Sequence, residues 1–176
     1  MSGLSTTPLS LEDVDSLAPA AFVQAFGEIA EHAPWVAESA GAKRPFTSRD
    51  AMVQAFQRAI LDAPADRQTE LLLGHPDLAG RAALAGEMTE DSTREQAGAG
   101  LDTLTADEFA HFTALNDAYR ARFGIPFIIA VRGATKHTIL AAFENRISGS
   151  LLEERLTALA QVLRIVRFRL EDRVAG

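Results

Sequence analysis

One run in this chain reads as a β-strand, and it stands alone. Residues 125–133, IPFIIAVRG, form a nearly unbroken apolar stretch that follows Gly124, the pattern of a buried strand. A strand with no partner leaves its backbone donors and acceptors unsatisfied. The run therefore reads as a buried extended connector, and the core must come from helices.

The remaining periodicity is helical. Pro19 suits a first turn, and Phe22, Phe26 and Ile29 follow at i, i+4 and i+7. Pro34 and AGAKRP (residues 40–45) interrupt the pattern. Thr47 or Ser48 can cap a helix carrying Met52, Phe56 and Ile60, which stops before Pro64. DRQTELLLG reads as a helix ended by Gly74, and DLAGRAALAG as one or two short helical turns. Ser92 and Glu95 have capping-box spacing, as do Thr105 and Glu108 at the head of a long helix bearing Phe109, Phe112, Leu115, Tyr119 and Phe123. Thr135 can cap KHTILAAFENRI. A last helix from about Leu151 carries Leu156, Leu159, Leu163, Val166 and Leu170 as a seam. The expectation is one all-α domain over residues 1–176, with a flexible segment at residues 1–9.

Composition narrows the function. The 176 residues are 47% hydrophobic with a net charge of −7, and a length near the usual ~150 residues per domain suits one core. No block of Lys or Arg is present, which argues against nucleic-acid binding. No window approaches the ~18 apolar residues of a membrane span, and the N-terminus lacks the pattern of a signal peptide. There are no cysteines, hence no thiolate chemistry or Cys-ligated zinc. A cytoplasmic protein is expected, and an anionic ligand would have to be drawn in by individual arginines.

Chemistry then rests on few residues. The histidines at 32, 75, 111 and 137 show no metal-ligand spacing. His75 differs in context: it follows a helix end at Gly74, and Pro76 restricts its backbone to extended conformations. It can serve as a cap on the last carbonyls of that helix or as a held imidazole. Glu95 either closes a capping box with Ser92 or, with Gln96, opens a small-residue segment, EQAGAGL, that admits a ligand. On the last helix Ala158, Val162, Ile165 and Arg169 make a second apolar stripe, while Arg164 falls on the polar face with Glu153 and Glu171. Arg169 at the end of that stripe needs a carboxylate or a ligand anion if buried, or else reaches out to solvent.

Four blocks in register, GHPDLAG, STREQAGAGL, LNDAYRARFGIPFIIAVRG and ILAAFENRI, make the chain resemble the 2-oxo-4-hydroxy-4-carboxy-5-ureidoimidazoline (OHCU) decarboxylase family over residues 10–174. The resemblance implies an all-helical, cofactor-free enzyme, typically a homodimer. It implies that His75 is the acid/base, that Glu95 and Arg169 (with Arg167 as the alternative arginine) are catalytic, and that no metal takes part. Pro76, Ser92, Gln96 and the connector residues Phe127, Ile128, Ile129, Ala130 and Val131 would contact the substrate. The competing readings are a non-catalytic helical interaction module and a decarboxylase of a related ureido acid.

Overall fold

A computed structural model describes residues 7–80 and 85–176. Residues 81–84 of the expected short turns lie outside them. Nine α-helices occur among the described residues, and the one β-pairing there is an isolated parallel bridge between Leu9 and Val174. The chain divides into two compact units, Met1–Gln68 with Leu163–Gly176, and Thr69–Val162. No helix among the described residues is long and apolar enough to cross a membrane.

The first unit contains α1 (Leu11–Ser16), α2 (Pro19–Phe26), α3 (Pro34–Gly41) and α4 (Arg49–Leu61). Ser10 and Asp13 form a capping box on α1, and Ser48 rather than Thr47 caps α4 through the Ala51 N–H. Pro34 does not break a helix. It occupies the first turn of α3, where a missing N–H costs nothing. Phe22, Phe26, Ile29, Val36, Met52, Phe56 and Ile60 are all buried, each side chain contributing about 2–3 kcal/mol by removal from water. Helices α2 and α3 approach closely at Gly41, where a Cβ would sit 2.8 Å from the Phe22 ring. Arg44 donates to the Val14 and Leu17 carbonyls at the end of α1 and lies over Phe22. Leu9, expected in a flexible lead, is held by backbone bonds with Arg173 and Ala175.

The second unit takes up most of α5 (Ala65–Leu73), then α6 (Glu90–Gly98), α7 (Ala106–Phe123), α8 (Lys136–Arg146) and the first half of α9 (Leu151–Arg173). The Thr105–Glu108 capping box opens α7, and Gly124 at φ 69° closes it in the left-handed conformation that glycine adopts without strain. Thr135 caps α8, completing a box with Thr138. The expected Ser92–Glu95 box does not form. Helix α6 starts earlier, with Thr89 as the cap accepting from the Ser92 N–H, which leaves Ser92 and Glu95 inside the helix.

Residues 125–131 pair with no strand among the described residues. All but Ile129 are buried. Side chains take the place of a sheet partner: the Ile128 carbonyl accepts from Arg146 at 2.7 Å, and the Ala130 N–H donates to Gln161 Oε1 at 3.0 Å. Phe127 stacks on Phe143 with 3.7 Å between centroids, meets Tyr119 edge-on, and has the Arg146 guanidinium over its other face. Behind it, Tyr119 donates to Glu154, which also receives Arg146 Nε. Burial, and then the bond to Glu154, push the Tyr119 phenol well above its usual range, so it stays a donor at physiological pH.

Candidate active site

The GHPDLAG segment leaves the end of α5 and is fixed residue by residue. His75 is 6% exposed. Its Nδ1 lies 2.8 Å from the Leu71 carbonyl oxygen. A carbonyl only accepts, so the contact places the proton of the neutral ring on Nδ1 and the titrating lone pair on Nε2. The helix cap and the held imidazole, alternatives in the sequence, are thus one arrangement. The cap selects the tautomer and fixes the ring plane.

Beyond Pro76, the Asp77 carboxylate receives Arg120 Nε of α7 at 2.9 and 3.1 Å. The Leu78 carbonyl accepts from Asn116 Nδ2 at 2.9 Å. Ala79 stands at φ 51°, a conformation that costs a non-glycine residue about 1–2 kcal/mol, and its N–H donates to Gln96 Oε1 at 2.9 Å. Gly80 is required by close approach, since a Cβ there would lie 2.7 Å from Asp77 Cβ.

Gln96 ties the histidine loop to α6. On that helix Ser92 and Gln96 are one turn apart and both 6% exposed, with Glu95 half-buried on the same side at i+3. His75, Pro76, Ser92, Glu95, Gln96 and residues 127–131 accordingly all belong to the second unit. Within the connector the Phe127 side chain serves the aromatic cluster, and the Ile128 carbonyl and Ala130 N–H are engaged by Arg146 and Gln161. Ile129 is the half-buried member of the run.

Arg169 lies in the first unit. It is 2% exposed, the buried one of the two outcomes its stripe allowed, and its Nη1 contacts Glu31 Oε2 at 2.9 Å and the Ile29 carbonyl at 3.3 Å. Glu31 is itself fully buried. The buried guanidinium therefore has the carboxylate it needs. Arg167 instead bridges Asp50 and Glu171 at the surface, and these carboxylates raise its pKa further.

Asp77, Asn116, Arg120 and Glu31 escaped the sequence reading. Asn116 and Arg120 share the i, i+4 face of α7 with Phe112, Tyr119 and Phe123, so a polar pair on an otherwise apolar stripe was the available signal. Glu31 gave none, because it lies in the turn after α2 where no periodicity applies.

The sequence profile of a family described as OHCU decarboxylase matches residues 15–171. A 2-oxo-4-hydroxy-4-carboxy-5-ureidoimidazoline decarboxylase of Haloferax volcanii is 46% identical over 96% of this chain and 98% of its own length. The protein of the same name from Halalkalicoccus jeotgali is 43% identical over 94% and 92%. Among solved structures, that of an (S)-allantoin synthase superposes with a TM-score of 0.77 at 31% identity, covering 96% of this chain; the chain spans 54% of that longer protein.

Proposed function

We propose that this chain, which belongs to the OHCU decarboxylase family, decarboxylates 2-oxo-4-hydroxy-4-carboxy-5-ureidoimidazoline to (S)-allantoin, with His75 handling the proton. The observation that carries this reading is the Nδ1 contact of His75 with Leu71, which presents a buried imidazole with its exchangeable position at Nε2. An imidazole is the side chain suited to general acid–base work near neutrality.

The substrate carries its carboxylate on a hydroxylated ring carbon beside a C=N. As the carbon–carboxylate bond breaks, CO2 leaves and the electron pair moves into the bond toward the C=N carbon, whose nitrogen is protonated. The resulting enol returns to a carbonyl by losing its hydroxyl proton, and the ring carbon bearing the ureido group gains one. The net change is one proton gained and one CO2 lost. Because the C=N is the electron sink, no pyridoxal, thiamine or metal is required. His75 Nε2 supplies the proton to one ring face, and Glu95 supports the cationic form of the imidazole. Pro76, Ser92, Gln96, Ile129 and the backbone of Phe127, Ile128, Ala130 and Val131 form the substrate's surroundings. For Arg169 as anion-binding group the support is the family's sequence pattern alone.

The test is a circular-dichroism time course on freshly generated substrate, with and without protein. Faster formation of one allantoin enantiomer is expected, undiminished after exhaustive chelation and dialysis. Equal rates would favour a non-catalytic module, and a loss restored by a divalent ion would overturn the cofactor-free mechanism.

The same reading includes a cytoplasmic homodimer. Leu151, Leu152 and Leu156, between 58% and 67% exposed at the start of α9, supply an apolar face of the kind interfaces cover. Light scattering at micromolar concentration should return twice the chain mass; a monomer would remove the dimer from the proposal.

A further inference from the structure

We propose that Asn116 and Arg120, one turn apart on α7, are positioning residues that hold the His75 loop in its working geometry. The inference rests on the proposed role of His75, and neither residue is bonded to its ring. They act on the two residues after Pro76: Arg120 on the Asp77 carboxylate and Asn116 on the Leu78 carbonyl. An i, i+4 pair on a helix presents two groups about 6 Å apart on one face, which suits a grip on consecutive loop residues. Helix α7 is capped at both ends and so provides a rigid frame.

Three observations separate this grip from ordinary stabilisation. Asn116 is 4% exposed and, among the described residues, its Oδ1 meets no donor while its Nδ2 donates to the Leu78 carbonyl. A buried acceptor without a donor costs stability, so stability alone does not account for an amide at this position. The Asp77–Arg120 pair has side chains 26% and 39% exposed, and ion pairs open to solvent contribute little to stability. Ala79, next in line, is held at φ 51°, so the loop is not in a conformation it would choose unaided. Strain of this kind persists where the surroundings over-determine it. The external grip keeps the segment after Pro76 from relaxing and carrying the imidazole off the Leu71 carbonyl.

The experiment uses the full-length protein with Asn116→Asp, which sets an acceptor against the Leu78 carbonyl, Arg120→Leu, and the reversed pair Asp77→Arg with Arg120→Asp. Two readouts are taken: kcat and KM from the dichroism assay, and imidazole 15N chemical shifts of His75. In the unaltered protein the neutral ring should be one tautomer, protonated at Nδ1. In Asn116→Asp and Arg120→Leu the signals should shift toward a tautomer mixture, with kcat lowered about ten- to 10²-fold and KM within about twofold. The reversed pair should recover most of the kcat lost in Arg120→Leu. Retained tautomer and kcat in a folded Arg120→Leu protein would overturn the proposal, even if Asn116→Asp failed to fold. So would a loss confined to KM or to thermal stability. If the unaltered protein proves inactive, the 15N shifts still decide whether the clamp exists, separately from the decarboxylase reading.

Discussion

Replacing His75 by Asn should lower turnover by on the order of 10²-fold or more, the usual worth of general acid–base catalysis, with the fold intact. The structure makes this substitution unusually clean. The Asn amide nitrogen can take the place of Nδ1 and still donate to the Leu71 carbonyl 2.8 Å away, so the end of α5 keeps its cap, worth about 1 kcal/mol. What disappears is Nε2. The variant should show the same thermal transition within a few degrees, and the dichroism assay should fall toward the uncatalysed rate. Full activity in a folded His75→Asn protein would leave the histidine as a helix cap only. Glu95→Gln supports the distinction. Because Thr89 caps α6, the change cannot act through the helix start, and a fall in turnover at unchanged stability would place Glu95 beside the proton transfer.

Periodicity located α2, α4, α7 and α9 because each buries one stripe, and a stripe leaves a fixed repeat in the chain. It also put Arg169 on one line with Ala158, Val162 and Ile165, which are buried, and left both a buried and a solvent-reaching guanidinium open. Caps were less secure. Ser-x-x-Glu at 92–95 satisfies the spacing of a capping box, yet Thr89 takes the role because Glu90 and Asp91 can extend the helix and favour its positive N-terminal end. A cap is chosen by competition among neighbouring candidates, which spacing alone does not rank. Pro34 was ambiguous for a similar reason: proline ends one helix and begins another with equal ease. The long-range partners were silent. That the lone apolar run would be satisfied by Arg146 and Gln161, and the histidine loop by Asn116 and Arg120, depends on tertiary placement. Arg146 and Gln161 are single polar residues whose local sequence resembles a solvated helix face, and the polar pair Asn116 and Arg120 on the apolar stripe of α7 marks a position without naming its partner.

The Glu31–Arg169 pair should produce the largest loss of stability. Both side chains are buried, at 0% and 2% exposure, so removing either leaves an uncompensated charge without water. Glu31→Leu or Arg169→Met alone should each cost about 3–5 kcal/mol in denaturant unfolding, whereas the double replacement should recover much of that loss. Activity then separates two roles that stability confounds. If Arg169 only neutralises Glu31, the folded double variant regains most of its turnover. If the guanidinium also binds the substrate's anionic group, the double variant folds yet keeps a raised KM. Arg169→Lys, with a point charge in place of a planar fork, should then weaken binding as well. A double variant as unstable as the singles would show that the ion pair is not the coupling between these positions. One that is stable and fully active would remove Arg169 from the catalytic set and leave His75 and Glu95 to carry the chemistry.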